Sequence, residues 1–265
     1  MSMNKLDFSG KYLVIIGAAG HLGKELSYSL ALLGANLILV DKDELSLENL
    51  KKHLIKHGFD SMDCITCDLE ISDERSFVFT SIVEKYPEIY GLVNCSAFVG
   101  DTNLSGWNVE FEKQSIQTWR RAIEVNLTSI FEICQIIAPT LKKTINSNIV
   151  NISSIYGEKG PKWDLYEGTN LGNPAAYSVS KGGLIQLTRW LATTLAPKVR
   201  VNSIVAGGIE RNQPSVFIEK YSNGVPLSRM ALEKDIVGPI LFLLSDMASY
   251  ITGEVLHVDG GRGIW

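Results

Sequence analysis

The sequence has little cysteine and little histidine, four of each in 265 residues. Four cysteines are too few for a disulfide scaffold of this size. Cys64 and Cys67 form a Cys-x-x-Cys, but in Met62-Asp-Cys-Ile-Thr-Cys-Asp68, which reads as a strand. Residues three apart on a strand point to opposite faces, a poor arrangement for a bridge or a metal. His53 and His57 stand four apart on an expected helix among Lys51, Lys52 and Lys56, which marks a solvated face rather than a metal pair. No metal is expected. A basic surface is missing too. The formal net charge is -4, with no long block of one sign, which argues against a nucleic-acid partner. The apolar runs are strand-length and broken by glycine or charge, and residues 1–11 hold no apolar signal core. No membrane span or leader is expected, so the default is a soluble, cytoplasmic protein. No proline- or serine-rich linker, repeat or low-complexity tract divides the chain. A single domain with a substantial core is the expectation.

What is present is an alternation of strands and helices. Tyr12-Leu-Val-Ile-Ile16 is a continuous apolar run, as a central parallel strand requires. Gly17-Ala-Ala-Gly20-His21-Leu22-Gly23 is a turn, followed by a helix over 22–33 that stops at Gly34. Leu37-Ile-Leu-Val40 is the next strand and ends at Asp41. Glycines let a pyrophosphate approach a helix N-terminus closely. An acid about 20 residues on, at the end of the second strand, suits the ribose hydroxyls of an adenosine. The combination points to dinucleotide binding. A carboxylate there also repels a 2'-phosphate, favouring NAD over NADP, although Lys42 beside it blunts that preference.

The alternation continues with helices over 43–57 and 72–86 and strands over 61–67 and 90–95. Asp68, followed by Leu69, stands where a carboxylate can meet the adenine edge. Residues 98–113 read as an irregular loop, either a substrate loop or a plain connection. One long helix is expected over 115–143, then a buried strand ending near Ser154, an insert over 156–174, a helix over 175–196 and a strand over 199–204. A loop-rich stretch over 206–229, a helix over 233–244 and a strand over 254–259 complete the chain. The pattern implies an α/β fold with a doubly wound parallel sheet.

Tyr177 and Lys181 lie one turn apart on the expected helix. An ammonium beside a phenol favours the phenolate, so Lys181 should pull the Tyr177 pKa down from about 10. A phenol so tuned can pass a proton to or from a reacting oxygen, and the Ser154 hydroxyl can donate to that same oxygen. Alone, Tyr-x-x-x-Lys is more often surface decoration.

Together, the glycine turn, Asp41, Asp68, Leu92-Val-Asn94, Asn126, Ser154, Tyr177-x-x-x-Lys181 and Ile251-Thr-Gly-Glu-Val-Leu-His-Val-Asp-Gly-Gly261 resemble a short-chain dehydrogenase/reductase of the compact single-domain type. The resemblance covers residues 10–261 and implies a three-layer Rossmann fold with seven parallel strands. It implies Tyr177 as general acid/base, Ser154 as the group orienting the substrate oxygen, Lys181 on the nicotinamide ribose and Asn126 as anchor of a relay water. The implied cofactor-binding set is Gly17, Gly20, His21, Leu22, Gly23, Asp41, Asp68, Leu69, Asn94, Tyr177, Lys181, Gly207 and Ile209. Relatives commonly form homodimers or homotetramers.

The chain departs from the family pattern. Ile16 replaces a threonine, and His21 replaces a glycine. Asn94-Cys-Ser-Ala97 replaces Asn-Asn-Ala-Gly, Ala206-Gly207 replaces Pro-Gly, and Arg211 replaces a threonine. The insert, with Tyr166-Glu-Gly-Thr-Asn-Leu-Gly-Asn173, and Gly207-Gly-Ile-Glu-Arg-Asn-Gln-Pro214 resemble a subgroup that acts in flagellin modification and legionaminic-acid-type sugar biosynthesis. Trp163 and Tyr166 offer flat faces to a sugar, Glu167, Thr169 and Asn170 offer hydroxyl partners, and Lys159, Lys162 and Arg211 offer phosphate partners. A plain surface loop is the other reading. The expectation is an NAD-dependent oxidoreductase acting on a small-molecule sugar. A reductase of a non-sugar ketone or acyl thioester, and a non-catalytic NAD(H) sensor, are the alternatives.

Overall fold

Strand β1 (Tyr12–Ile16) is buried after its first residue, because helices cover both faces of the sheet it belongs to. Leu13 and Ile15 face one layer, Val14 and Ile16 the other, as the two-residue period of a strand demands. The computed structural model describes residues 6–99 and 104–264. Part of the expected 98–113 loop and the start of the N-terminal segment therefore lie outside the described residues. The other strands are β2 (Asn36–Asp41), β3 (Met62–Thr66), β4 (Gly91–Asn94), β5 (Asn148–Ser154), β6 (Arg200–Ala206) and β7 (Val255–Val258). All seven are parallel, in the order β3-β2-β1-β4-β5-β6-β7. This is the expected Rossmann sheet in a single domain.

Helices α1 (His21–Leu32), α2 (Glu44–Lys56) and α8 (Glu233–Leu244) pack on one face. Helices α3 (Ser72–Lys85), α5 (Ser129–Leu141) and α6 (Ala175–Leu195) pack on the other. Strand order reverses between β1 and β4, so the loops leaving their carboxyl ends diverge and open a crevice.

Two elements differ from the sequence reading. The long helix is not continuous: α4 (Ile116–Ile123) and α5 are separated by a π-helical turn, Glu124–Thr128, that carries Asn126. Hydrophobic periodicity tolerates one extra residue, so the pattern does not reveal it. The loop-rich stretch after β6 contains a helix, α7 (Ser215–Asn223), whose buried side is only Phe217 and Tyr221. So short an apolar face gives little periodic signal. The segment Ile116–Leu141 is apolar and long enough to cross a membrane by composition alone, but half of it is buried against the rest of the domain.

Candidate active site

A cleft of about 700 Å³ runs along the carboxyl ends of the strands, from Asp41 and Asp68 to Tyr177 and Phe217. Its first end is built largely of backbone. Gly17 adopts φ 76°, and a Cβ there would stand 2.7 Å from the Ser96 nitrogen. A Cβ on Gly23 would collide with the Gly17 carbonyl oxygen. These two glycines are required by the packing of the chain on itself. Gly20 is different: its Cβ would meet only the Gly17 oxygen, at 3.3 Å. It is the N-cap of α1 and caps it with no side chain, and no acid stands in the first turn. The N-terminal amides and the positive end of the helix dipole are therefore uncompensated at the cleft, which is where a phosphate fits. Leu22 is buried beneath the turn, and His21 is exposed on its rim. Both line the cleft.

Asp41 is aimed by its own neighbours. One carboxylate oxygen accepts the Ala19 N–H at 2.9 Å and the other accepts the Asp43 N–H at 3.2 Å. Lone pairs remain for ribose hydroxyls. Asp68 accepts the Glu70 N–H at 3.0 Å, which holds its carboxylate on the cleft wall beside Leu69. The Leu69 carbonyl accepts from Arg75. Arg75 is 1% exposed and pairs with Glu124 at 2.6 Å and Glu132 at 2.7 Å. One buried guanidinium thus ties the loop after β3 to the π-helical turn and α5. The sequence reading missed it because its carboxylate partners lie far along the chain. The glycine cradle, the open helix terminus and the fixed carboxylate together fit a dinucleotide.

Asn94 needs correction. Its side chain is buried, donates to the Asn151 oxygen at 2.5 Å and does not line the cleft. It holds β4 to β5, and the cleft wall there is Cys95, Ser96 and Ala97.

The other end brings together residues distant in sequence. Ser154 ends β5, while Tyr177 and Lys181 occupy the first turns of α6. All three line the cleft. Helix α6 comes close because glycines permit it: a Cβ on Gly157 would stand 2.8 Å from the Lys181 carbonyl carbon. Ser153 locks the contact by donating to the Lys181 carbonyl at 2.9 Å. Lys181 is 3% exposed, and its ammonium donates to the Ile152 carbonyl at 2.8 Å. Burial lowers its pKa to about 8. The Ser154 oxygen accepts the Tyr156 N–H at 3.2 Å.

The expected depression of Tyr177 by Lys181 is not what governs this phenol. Burial pushes Tyr177 up from 10, the Ser154 hydroxyl opposes that, the Tyr156 phenol adds to it, and Arg211 opposes it last. Lys181 turns toward the Ile152 carbonyl instead, a contact that the four-residue spacing could not reveal.

Asn126 also departs from expectation. Its side-chain oxygen accepts the Phe98 N–H at 2.5 Å, and its amide donates to the Phe98 carbonyl at 3.2 Å and the Ser180 hydroxyl at 3.0 Å. The side chain clamps the loop after β4 onto α6 and is absent from the cleft wall. Trp107, from the irregular loop, is buried with Phe98 against the ring of Tyr177, and its indole donates to the Val99 carbonyl at 2.6 Å. That part of the loop is a support for the phenol.

The insert and the segment after β6 form the last wall. Gly207, Gly208 and Ile209 line the cleft, and the Gly208 N–H donates to the Tyr221 hydroxyl at 2.5 Å. Tyr166 lines the cleft beside Phe217, at 5.7 Å between ring centroids. Trp163 and Glu167 do not line it. Trp163 is 61% exposed and packs against the Tyr166 ring, with 6.0 Å between centroids. Glu167 faces Lys220, whose ammonium also donates to the Asp164 carbonyl at 2.8 Å. These two residues sit at the seam between insert and α7 rather than on the cleft wall. Thr169 bonds within the insert. Arg211 does line the cleft, with its guanidinium held by Glu233 at 3.0 Å. Tyr156, Phe217 and Tyr221, unmarked by any motif, complete the wall.

Comparison with known proteins agrees with this geometry. The sequence model of a protein family described as enoyl-(acyl carrier protein) reductase matches residues 17–262. Post-translational flagellin modification protein A of Campylobacter coli is 32% identical over 96% of this chain and 98% of its own length. A 3-oxoacyl-(acyl-carrier-protein) reductase of Thermotoga maritima is 32% identical over 95% of this chain and 97% of its own. A short-chain dehydrogenase of Leptospira borgpetersenii, solved with bound NAD+, is 29% identical over 99% of this chain and 97% of its own, with a TM-score of 0.85. With sheet order, glycine turn and the Ser154, Tyr177 and Lys181 cluster in one cleft, these similarities lead to one conclusion: the chain belongs to the short-chain dehydrogenase/reductase family and is an NAD(P)-dependent oxidoreductase.

Proposed function

We propose that this enzyme uses NAD and interconverts a hydroxyl and a ketone on a sugar, with Tyr177 as general acid and base. The observation that carries the reading is one continuous cleft with Asp41 at one end and Ser154, Tyr177 and Lys181 at the other. The nicotinamide ring, when bound, supplies or accepts the hydride. In reduction, Tyr177 gives its proton to the carbonyl oxygen as that oxygen gains charge, and takes one back in oxidation. The Ser154 oxygen accepts the Tyr156 N–H, which fixes it beside Tyr177, and its hydroxyl proton is the one to donate to the same oxygen when substrate is bound. Lys181 spends one proton on Ile152 and keeps two for ribose hydroxyls. Asn126 acts through Phe98 and Ser180 as a positioning residue. Asp41 favours the two free hydroxyls of NAD and repels the 2'-phosphate of NADP.

The sugar is supported by the cleft wall, where the phenols of Tyr156, Tyr166 and Tyr221 accompany the Phe217 ring and Arg211 adds a cation. The similarity to the flagellin modification protein supports it as well. The 3-oxoacyl reductase relative favours a second reading, reduction of an acyl thioester. We further propose pairing into homodimers or homotetramers, for which the exposed apolar residues Phe131, Val179 and Trp190 on α5 and α6 supply a face.

NADH oxidation separates the two substrates. Phosphorylated and nucleotide-linked amino keto-sugars should turn over, and acetoacetyl thioesters should not. Faster turnover of the thioester would favour the second reading. Undiminished turnover by Tyr177→Phe would refute both.

A further inference from the structure

Inside the substrate half of the cleft, Tyr166 and Tyr156 are joined hydroxyl to hydroxyl at 2.6 Å. A phenol has one proton, so the direction of that bond decides what each oxygen offers. The bond runs from the Tyr166 hydroxyl to the Tyr156 oxygen, so Tyr166 spends its own proton there. Asn173 is 7% exposed, its side-chain oxygen accepts from Ser178 at 3.0 Å, and its amide nitrogen makes no hydrogen bond. The Tyr156 oxygen then receives, and its proton has no protein acceptor among the described residues. That proton is left for the cleft.

Tyr156 is also well placed to act beside the reacting oxygen. It follows Ser154 by two residues in a single 3-10 turn, Ile155–Gly157, and its backbone N–H holds the Ser154 hydroxyl. Its phenol is close enough to raise the pKa of Tyr177. Its ring packs against the apolar cluster that holds Phe217 and Tyr221, which restricts the directions the hydroxyl can take.

We infer that Tyr156 is a specificity-determining donor for a second substrate oxygen, next to the one served by Ser154 and Tyr177, so that the enzyme selects ketones bearing a hydroxyl or carbonyl on the adjacent carbon. Tyr166 is a positioning residue that orients this donor. The inference rests on the carbonyl-reductase reading above and narrows its substrate class to vicinally oxygenated carbons, which simple ketones lack.

The test compares two ring ketones with NADH, 2-hydroxycyclohexanone and cyclohexanone. The unmodified enzyme should favour the hydroxyketone by at least about tenfold in kcat/KM, the scale of one hydrogen bond in a water-poor site. Tyr156→Phe keeps the ring and the backbone bond to Ser154 and removes the hydroxyl, both the donor and the acceptor of the Tyr166 proton, so the ratio should fall toward one. Tyr166→Phe should lower it part of the way. A purely structural role would change both rates together and leave the ratio alone. A ratio near one in the unmodified enzyme, or one unchanged by Tyr156→Phe, overturns the inference while leaving the role of Tyr177 standing. No reduction of either ketone by protein that binds NADH overturns the carbonyl-reductase reading and this inference with it.

Discussion

The cofactor end and the substrate end of the cleft are built from different materials. At the cofactor end the chain offers backbone: the glycine turn, the first amides of α1, and a carboxylate held by two local N–H groups. At the substrate end it offers side chains from β5, the insert, α6 and α7, which meet only in the folded molecule. Backbone cradles depend on residues near one another in sequence and tolerate little change. Side-chain walls depend on distant segments and can be rebuilt one residue at a time. That difference is the ground on which substrate choice is proposed to reside in Tyr156, Tyr166 and Arg211 rather than in the glycine turn.

The largest effect expected is at the junction of the two ends. Tyr177→Phe should reduce turnover by about 10²–10⁴-fold, the usual worth of a general acid or base. NADH affinity, read by fluorescence titration, should stay close to that of the unmodified enzyme. Loss of binding along with turnover would instead make Tyr177 a cofactor-end residue.

The glycine turn gives the next effect, and it is asymmetric. Gly23→Ala forces a Cβ onto the Gly17 carbonyl oxygen, whereas Gly20→Ala meets that atom only at 3.3 Å. Gly23→Ala should lower thermal stability by about 1–3 kcal/mol, as overpacking does. Gly20→Ala should change stability little and weaken NADH binding, because it narrows the phosphate cradle. Equal stability losses would erase the distinction between a packing glycine and a binding glycine.

Lys181 links the two ends through its charge. Its pKa is about 8 in the fold against 10.5 in a model peptide. Below pH 8 both states hold the proton, and the folded state bears the cost of burying the charge. Above pH 10.5 neither state holds it and the cost is gone. Replacing Lys181 by Met should therefore stabilise the fold near neutral pH, by an amount of order 3 kcal/mol at most. The gap between variant and unmodified protein should close between about pH 8 and 10.5 in denaturant titrations. Turnover should be lost at every pH.

Asp41→Asn should raise the KM for NADH by about 10–100-fold, the worth of a charged hydrogen bond to a hydroxyl, and narrow the preference over NADPH. The smallest effect belongs to the insert surface. Trp163→Ala and Glu167→Ala should leave KM for any accepted sugar within about twofold, since surface changes away from a site are usually small. A larger change would return those residues to the substrate wall.

Most of the cofactor end was legible in the sequence because its signals are local. Gly17, Gly23, Asp41 and the apolar run of β1 lie within one strand-turn-helix-strand unit, and periodicity places them. Asn94 misled because a strand residue beside a cofactor and one bridging to the next strand look alike until β5 is placed, with Asn151 opposite. At the substrate end, Trp163 and Glu167 carry sugar-binding chemistry at positions of the insert that do not line the cleft. Nothing in an aperiodic stretch marks which face turns inward. Arg75, Tyr156 and Tyr221 were invisible as site builders because their partners come from elsewhere in the chain.

The sequence by itself determined the alternation of strands and helices, the phosphate turn, the acid that follows β2, and the pairing of Tyr177 with Lys181 on one helix. Short-range sterics and residue periodicity suffice for those. Tertiary structure alone decided which way Lys181 points, that burial governs the Tyr177 phenol, that Asn126 clamps a loop, and that the Tyr166 and Tyr156 hydroxyls meet. Burial and hydrogen-bond direction are properties of what surrounds a group, and those surroundings exist only once distant segments have packed together.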